Sequence, residues 1–257
     1  LNWFREKRDK EKPFLMMYLH KAPHRPWWPS PEKFAEFYEK EFPEPETLFD
    51  DYKGRGTAAK SAEMNILTHM QYMHDSKIRP STLEEMGEVN PEIVYYRIDG
   101  TEYRPGPGGF LVPFNRGNPD QIAKYNLTLD KINNDFKENW PKMNDKEKMQ
   151  WKFQRYMQDY LATISSIDDN VGRVLDYLEE NDLADNTLVV YTSDQGFYLG
   201  EHGWYDKRFI YDESFKTPLL IKWPNKIKPG ITNDEMVQNL DFAQTFLEAA
   251  GISSPED

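Results

Sequence analysis

Three short runs constrain this chain more than anything else in it: Phe14-Leu15-Met16-Met17-Tyr18-Leu19, Thr187-Leu188-Val189-Val190-Tyr191-Thr192 and Pro218-Leu219-Leu220-Ile221-Lys222-Trp223. Each has the length of a strand and is nearly continuous in apolar or β-branched residues. Continuous runs, as opposed to alternating ones, are the pattern of strands covered on both faces. The covering layer is visible as well. Tyr160, Leu161, Ile164, Ile167, Val171, Val174, Leu175 and Leu178 step by three and four, which lines one helical face, and Asn144 with Glu147 has the form of a capping box at its start. Ser30-Pro31 predicts a short helix to about Lys40, with Ser30 as the cap and Pro31 in the first turn. Asp241 with Gln244 predicts a capped last helix from Phe242 to Ala250, stopped by Gly251. Helices, loops and buried strands in this order make the fold class α/β.

Between Glu41 and Asp145 the pattern is weaker. Turn signals such as Gly54-Arg55-Gly56 and Pro105-Gly106-Pro107-Gly108-Gly109 stand among few apolar periods, and a long, partly helical excursion is expected. With 32 Lys and Arg against 44 Asp and Glu, the net charge of −12 makes nucleic acid an unsuitable main partner, since phosphate binding needs a basic face. No stretch approaches the roughly 18 consecutive apolar residues of a membrane-spanning helix. Cysteine is absent, so within these 257 residues there is no disulfide, thiolate metal site or cysteine nucleophile. The opening Leu1-Asn2-Trp3-Phe4-Arg5-Glu6-Lys7-Arg8 reads as the middle of an amphipathic helix that Pro13 ends, so the chain is expected to be a piece of a longer one.

Chemistry-bearing residues gather where the predicted strands end, the place where loops converge over an α/β sheet. After Leu19 come His20, Lys21, His24 and Arg25, with two of the five histidines. A solvated polar loop, docked by Trp27 and Trp28, is the plainer reading. The second strand ends in Ser193-Asp194-Gln195-Gly196, where hard oxygen donors would suit Ca²⁺ or Mg²⁺ and the glycine would permit a tight turn. An Asx-turn at Asp194 is the plainer alternative. Next follow Glu201-His202-Gly203 and Asp206-Lys207-Arg208. Acid or base, cation and hard-metal donors together fit chemistry on a charged oxyanion ester.

These segments resemble a known family. Thr187 to Gly196, Leu199-Gly200-Glu201-His202-Gly203, Asp206-Lys207-Arg208, Glu213 and Pro218-Leu219-Leu220 are similar to the C-terminal half of a type I, formylglycine-dependent sulfatase catalytic domain. Pro13 to Met17 with Ala22-Pro23-His24-Arg25-Pro26-Trp27 resembles that family's histidine loop. Within the family these spellings are most similar to N-acetylglucosamine-6-sulfatases, and His20-Lys21 before Pro23-His24 is also similar to iduronate-2-sulfatases. Asp168 to Gly172 in the long helix and Asn239 to Ile252 match as well. The resemblance divides the chain into a histidine loop (13–40), a variable insertion (41–150) and metal and lysine loops (151–257). It implies an alkaline-phosphatase-like layered α/β sheet with helices on both faces, incomplete at both ends. It also implies a Ca²⁺ or Mg²⁺ ion held by Asp194 and Gln195, His24 as the acid that protonates the leaving sugar oxygen, Lys207 as a cation on a sulfate oxygen, and His202 as a substrate contact. A sulfated oligosaccharide would be the partner. A proton donor at the bridging oxygen and positive charge on the sulfonyl oxygens both lower the barrier as the S–O bond breaks.

The family's nucleophile motif, (C/S)xPxR, has no match: in the one PxR, Pro23-His24-Arg25, Lys21 stands two residues before Pro23. The paired aspartates after the first sheet strand are also missing, because Asp168-Asp169 falls inside the long helix and Asp50-Asp51 follows no apolar strand. A formylglycine nucleophile is therefore expected upstream of Leu1. A phosphodiester or phosphonate hydrolase of the same superfamily, and a non-catalytic glycan-binding module, are the alternatives. Net negative charge disfavours long polyanions and favours an exo-acting enzyme on short or terminal substrates. The absence of cysteine is compatible with a periplasmic or secreted location.

Overall fold

One long helix organises the chain. In the computed structural model, which describes residues 1–91, 95–96, 101–103 and 110–253, it is the last of seven α-helices before the first long strand. Those before it are α1 (Pro31–Tyr38), α2 (Thr57–Ser61), α3 (Ile66–His69), α4 (Pro80–Met86), α5 (Val112–Arg116) and α6 (Pro119–Asn139), and α7 itself is Asp145–Glu180. The capping box predicted at Asn144 is formed. The Asn144 side chain accepts from the Lys146 and Glu147 amides, and the Glu147 carboxylate accepts from the Asn144 amide at 2.8 Å. At about 1.5 Å per residue the 36-residue helix runs roughly 54 Å, long enough to touch every part of the core.

Its first half buries Met149, Phe153, Tyr156 and Tyr160 against Trp27, Leu48, Ile66, Met70 and Tyr205. Its last turns bury Tyr177 and Leu178 against Phe4 of a short π-helical turn, Trp3–Lys7, and against Ala184. The second helical layer was not visible in the sequence. α6 carries its own capping box, with Asn118 and Gln121 bonded reciprocally and Pro119 in the first turn. It buries Tyr125, Leu129, Ile132 and Phe136 against Phe34 of α1 and Trp140. Its apolar stripe is thin, because Thr128 and Asn133 complete the buried face. Asn133 is satisfied there: its amide donates to the Leu129 and Lys77 carbonyls, and its oxygen accepts from the Arg79 amide.

The strands are short antiparallel pairs: β1 (Tyr95–Tyr96) with β2 (Glu102–Tyr103), β3 (Val189–Thr192) with β6 (Leu219–Lys222), and β4 (Tyr198–Leu199) with β5 (Tyr205–Asp206). In the long pair Val190 faces Ile221 and Thr192 faces Leu219. Phe14–Leu19, expected as a buried central strand, forms neither strand nor helix here and joins no ladder among the described residues. Phe14 and Met16 pack onto the Phe4, Tyr177 and Leu178 cluster, while Leu15 and Met17 are 75% and 74% exposed. A run with the composition of a doubly covered strand thus has one face covered and the other bare. Leu220 of β6, Met236 and Leu240 are bare too.

The last helices are α8 (Asp212–Phe215) and α9 (Asp241–Ala249). Asp241 is not the cap of α9 but its first residue, and its carboxylate accepts from the Gln238 amide at 2.7 Å. Residues 105–109, read as a turn, lie outside the described residues.

Candidate active site

Two loops meet in front of the first half of α7. The first carries His24. Its backbone turns through His24 N–H donating to the Lys21 carbonyl, and the Trp27 indole N–H donates back to the Pro23 carbonyl at 2.8 Å. Trp27 is fully buried and its ring lies 6.3 Å from that of Phe197, in the second loop. Arg25 sits over the Tyr205 ring at 5.1 Å. His24 itself is exposed, with Nδ1 2.8 Å from the Arg25 carbonyl.

The second loop leaves β3 at Ser193. Asp194 is exposed; its carboxylate accepts from the Ser193 hydroxyl at 3.3 Å and its backbone carbonyl from the Asn239 side-chain amide at 3.1 Å, while Gln195 is half-buried. The glycine that follows serves a different purpose from the one expected. Gly196 does not have a positive φ. It is needed because α8 comes so close: a Cβ there would lie 2.1 Å from the Glu213 carbonyl oxygen and 2.7 Å from that of Lys216. The Gly196 and Phe197 amides donate to the Ser214 and Glu213 carbonyls at 2.9 and 2.7 Å, so the turn and α8 are tied together. Lys207 follows β5, half-buried, with its ammonium over the Phe197 ring at 5.8 Å. Among the described residues it makes no ion pair.

His24, Asp194, Gln195 and Lys207 thus come from two loops joined by Trp27, Phe197, Arg25 and Tyr205. His202 stands apart in a network of its own, at φ +58°. Its Nδ1 lies 2.8 Å from Asp50 Oδ2, and Nε2 lies 3.7 Å from Glu213. Arg55 bonds the same Asp50 oxygen at 2.7 Å. Burial alone would raise the Asp50 carboxyl. The hydrogen bond to His202, the Tyr52 amide and Arg55 outweigh it and hold the group below the usual carboxylate range. Arg55, His202, Tyr211 and Glu213 line an open depression. Asp50 and Arg55 were passed over in the sequence because they lie in the segment with the least pattern. Only the fold brings them to His202, 152 and 147 residues away.

Asp194 and Gln195 are oxygen donors of the kind a hard cation takes, and Asp194 keeps acceptor capacity to spare. They are two donors of a shell that needs six to eight, and no cluster of three or more His, Asp or Glu that could hold a metal occurs among the described residues. By chemistry the two side chains suit a hard cation such as Ca²⁺ or Mg²⁺, as two of its donors.

An N-acetylglucosamine-6-O-sulfatase from Bacteroides thetaiotaomicron is 43% identical over 254 residues, which is 99% of this chain and 42% of that protein. The chain belongs to the sulfatase family. The family model for the C-terminal region of N-sulphoglucosamine sulphohydrolase matches residues 200–257 of this sulfatase chain. A solved structure of a protein in complex with its substrate, D-glucosamine-2-N,6-O-disulfate, superposes with a TM-score of 0.82 at 40% identity, covering 99% of this chain and 47% of the other. The bovine N-acetylglucosamine-6-sulfatase is 40% identical over 92 residues, 35% of this chain and 16% of that protein. The expected alkaline-phosphatase-like α/β fold is therefore established, and the chain spans less than half the length of these relatives. No helix among the described residues is long and apolar enough to cross a membrane.

Proposed function

We propose that the intact protein is an exo-acting sugar 6-O-sulfatase, releasing sulfate from a terminal N-substituted glucosamine of a glycan. The observation that carries this reading is identity of 43% across almost the whole chain to an N-acetylglucosamine-6-O-sulfatase, segment 41–150 included. A relative matched over the catalytic loops alone would support only the general chemistry. The substrate named for the structural neighbour, a glucosamine sulfated at N2 and O6, is of the same class.

Within this reading the roles follow from chemistry. Asp194 and Gln195 would contribute oxygen donors to a Ca²⁺ or Mg²⁺ ion, which when bound polarises the sulfate. Lys207 would place positive charge on a sulfonyl oxygen where charge develops, and its ammonium lies 5.8 Å over the Phe197 ring. His24 would protonate the leaving sugar oxygen: the Arg25 carbonyl can only accept, so it orients the ring with Nδ1 inward and Nε2 toward solvent and substrate. His202, braced by Asp50, would contact the sugar. The formylglycine nucleophile would come from outside these residues. A periplasmic or secreted location belongs to the same proposal, and the lack of cysteine permits it.

The test is the intact protein on N-acetylglucosamine carrying sulfate at O3, O4 or O6, with sulfate release followed by ion chromatography. Release from the 6-sulfate alone is expected. Preference for another position would overturn the assignment, and turnover of phosphonate monoesters without sulfate release would move the protein to the superfamily's other chemistry.

A further inference from the structure

Beneath the His24 loop lies a carboxylate that the proposed chemistry does not use. Asp75 is fully buried and takes both arms of Arg25, Nε to Oδ1 at 2.8 Å and an Nη to Oδ2 at 2.5 Å. The Gln71 amide donates to Oδ2 as well, at 2.8 Å. The Arg25 guanidinium, held flat in this fork, lies between the Trp27 and Tyr205 rings, at 5.9 and 5.1 Å. Tyr205 is two residues from Lys207. The Arg25 backbone carbonyl, at the other end of the same residue, takes the His24 ring nitrogen. One side chain therefore ties the histidine loop both to the insertion and to the strand that precedes the lysine.

A buried ion pair is weak support for stability, because desolvation offsets much of the attraction and an apolar pair of similar volume serves as well. What a bidentate fork adds is direction: two parallel hydrogen bonds fix the plane of the guanidinium, which a lysine or an apolar contact would leave free to turn. Here that fixed plane lies one residue from the ring that must meet the leaving oxygen.

We propose that Asp75 is a positioning residue for His24, acting through the Arg25 fork to hold the imidazole where its Nε2 reaches the leaving oxygen of the substrate. This rests on the sulfatase reading and on the acid role of His24, and the experiment separates the three. In the intact protein, Asp75→Asn, Arg25→Lys and His24→Gln are compared on a sugar 6-sulfate, whose alkoxide needs protonation, and on 4-nitrophenyl sulfate, whose phenolate leaves unaided. Asp75→Asn should lower kcat on the sugar sulfate roughly ten- to a hundredfold, the size of loss expected when a reacting group is misplaced by an ångström or less. KM should change little, and the aryl sulfate should be nearly unaffected. Combined with His24→Gln it should add no further loss on the sugar. Equal losses on both substrates, or losses that multiply with His24→Gln, would show that Asp75 only supports the fold. Should Asp75→Asn fail to fold, Arg25→Lys decides, since it keeps the charge pair and removes the fork: the same split between substrates supports the proposal, and an equal loss overturns it. If His24→Gln itself shows no split, the acid role falls and this proposal with it. If the unaltered protein releases no sulfate from either ester, the sulfatase reading is what fails.

Discussion

Gly196→Ala tests how tightly the proposed metal turn is coupled to its neighbour. The new methyl would sit 2.1 Å from the Glu213 carbonyl oxygen, where ordinary contact begins at 3.4 Å, so either the turn or α8 must move by more than an ångström. Which one moves follows from what holds each. α8 has four residues, none of them buried, whereas the turn is continuous with β3 and with the buried Tyr198. α8 should therefore give way. The cost is the two hydrogen bonds from Gly196 and Phe197, at about 1 kcal/mol each, and not the further ~1–3 kcal/mol that unrelieved overpacking would add to them. In the intact protein urea unfolding should show a loss of about 2 kcal/mol, the amides of 196 and 197 should exchange faster, and Ca²⁺ should bind about tenfold more weakly as Gln195 and Asp194 lose their brace. Unchanged protection at both amides together with unchanged Ca²⁺ affinity would refute the coupling.

Other expectations are as direct. His74 is buried enough that its pKa falls to about 4, with Nε2 unpartnered, so between pH 4 and 6.5 the unfolded chain binds the proton and the folded one does not. Stability should therefore fall as pH drops through that window, by up to about 3 kcal/mol, and His74→Gln should flatten the acid limb of urea-unfolding free energy against pH. Phe136→Ala, fully buried between Tyr72, Trp140 and Trp151, should cost about 3 to 5 kcal/mol by the same measurement without changing Ca²⁺ affinity. Asp194→Ala should abolish sulfate release and weaken Ca²⁺ binding, which calorimetry would report. Unchanged activity removes it from the site.

What could be read beforehand followed the strength of each local signal. α7 was legible because its apolar period is long and its cap is chemically distinctive, and β3 and β6 because β-branched runs have few other uses. α6 has an equally good cap in Asn118 and Gln121, yet its face mixes Thr128 and Asn133 with four apolar residues, and the periodicity is lost among charges. The strand at Phe14–Leu19 misled for a different reason. Composition marks a segment as one to be covered, and among the described residues only the face that carries Phe14 and Met16 is covered. The loops were legible as sets, since strand ends collect function. Their partners, Asp50, Arg55 and Asp75, were not, because nothing local marks an aspartate that will meet a histidine or an arginine many residues away.

The assignment of roles is tested most directly by a crystal structure of the intact protein with Ca²⁺ and a slowly cleaved glucosamine 6-sulfate. Oxygens of Asp194 and Gln195 should lie about 2.3 to 2.6 Å from the ion, Lys207 Nζ at hydrogen-bond distance from a sulfonyl oxygen, and His24 Nε2 within about 3 Å of the bridging oxygen. A Ca²⁺ ion bound without Asp194, or a substrate whose bridging oxygen faces away from His24, would contradict the account.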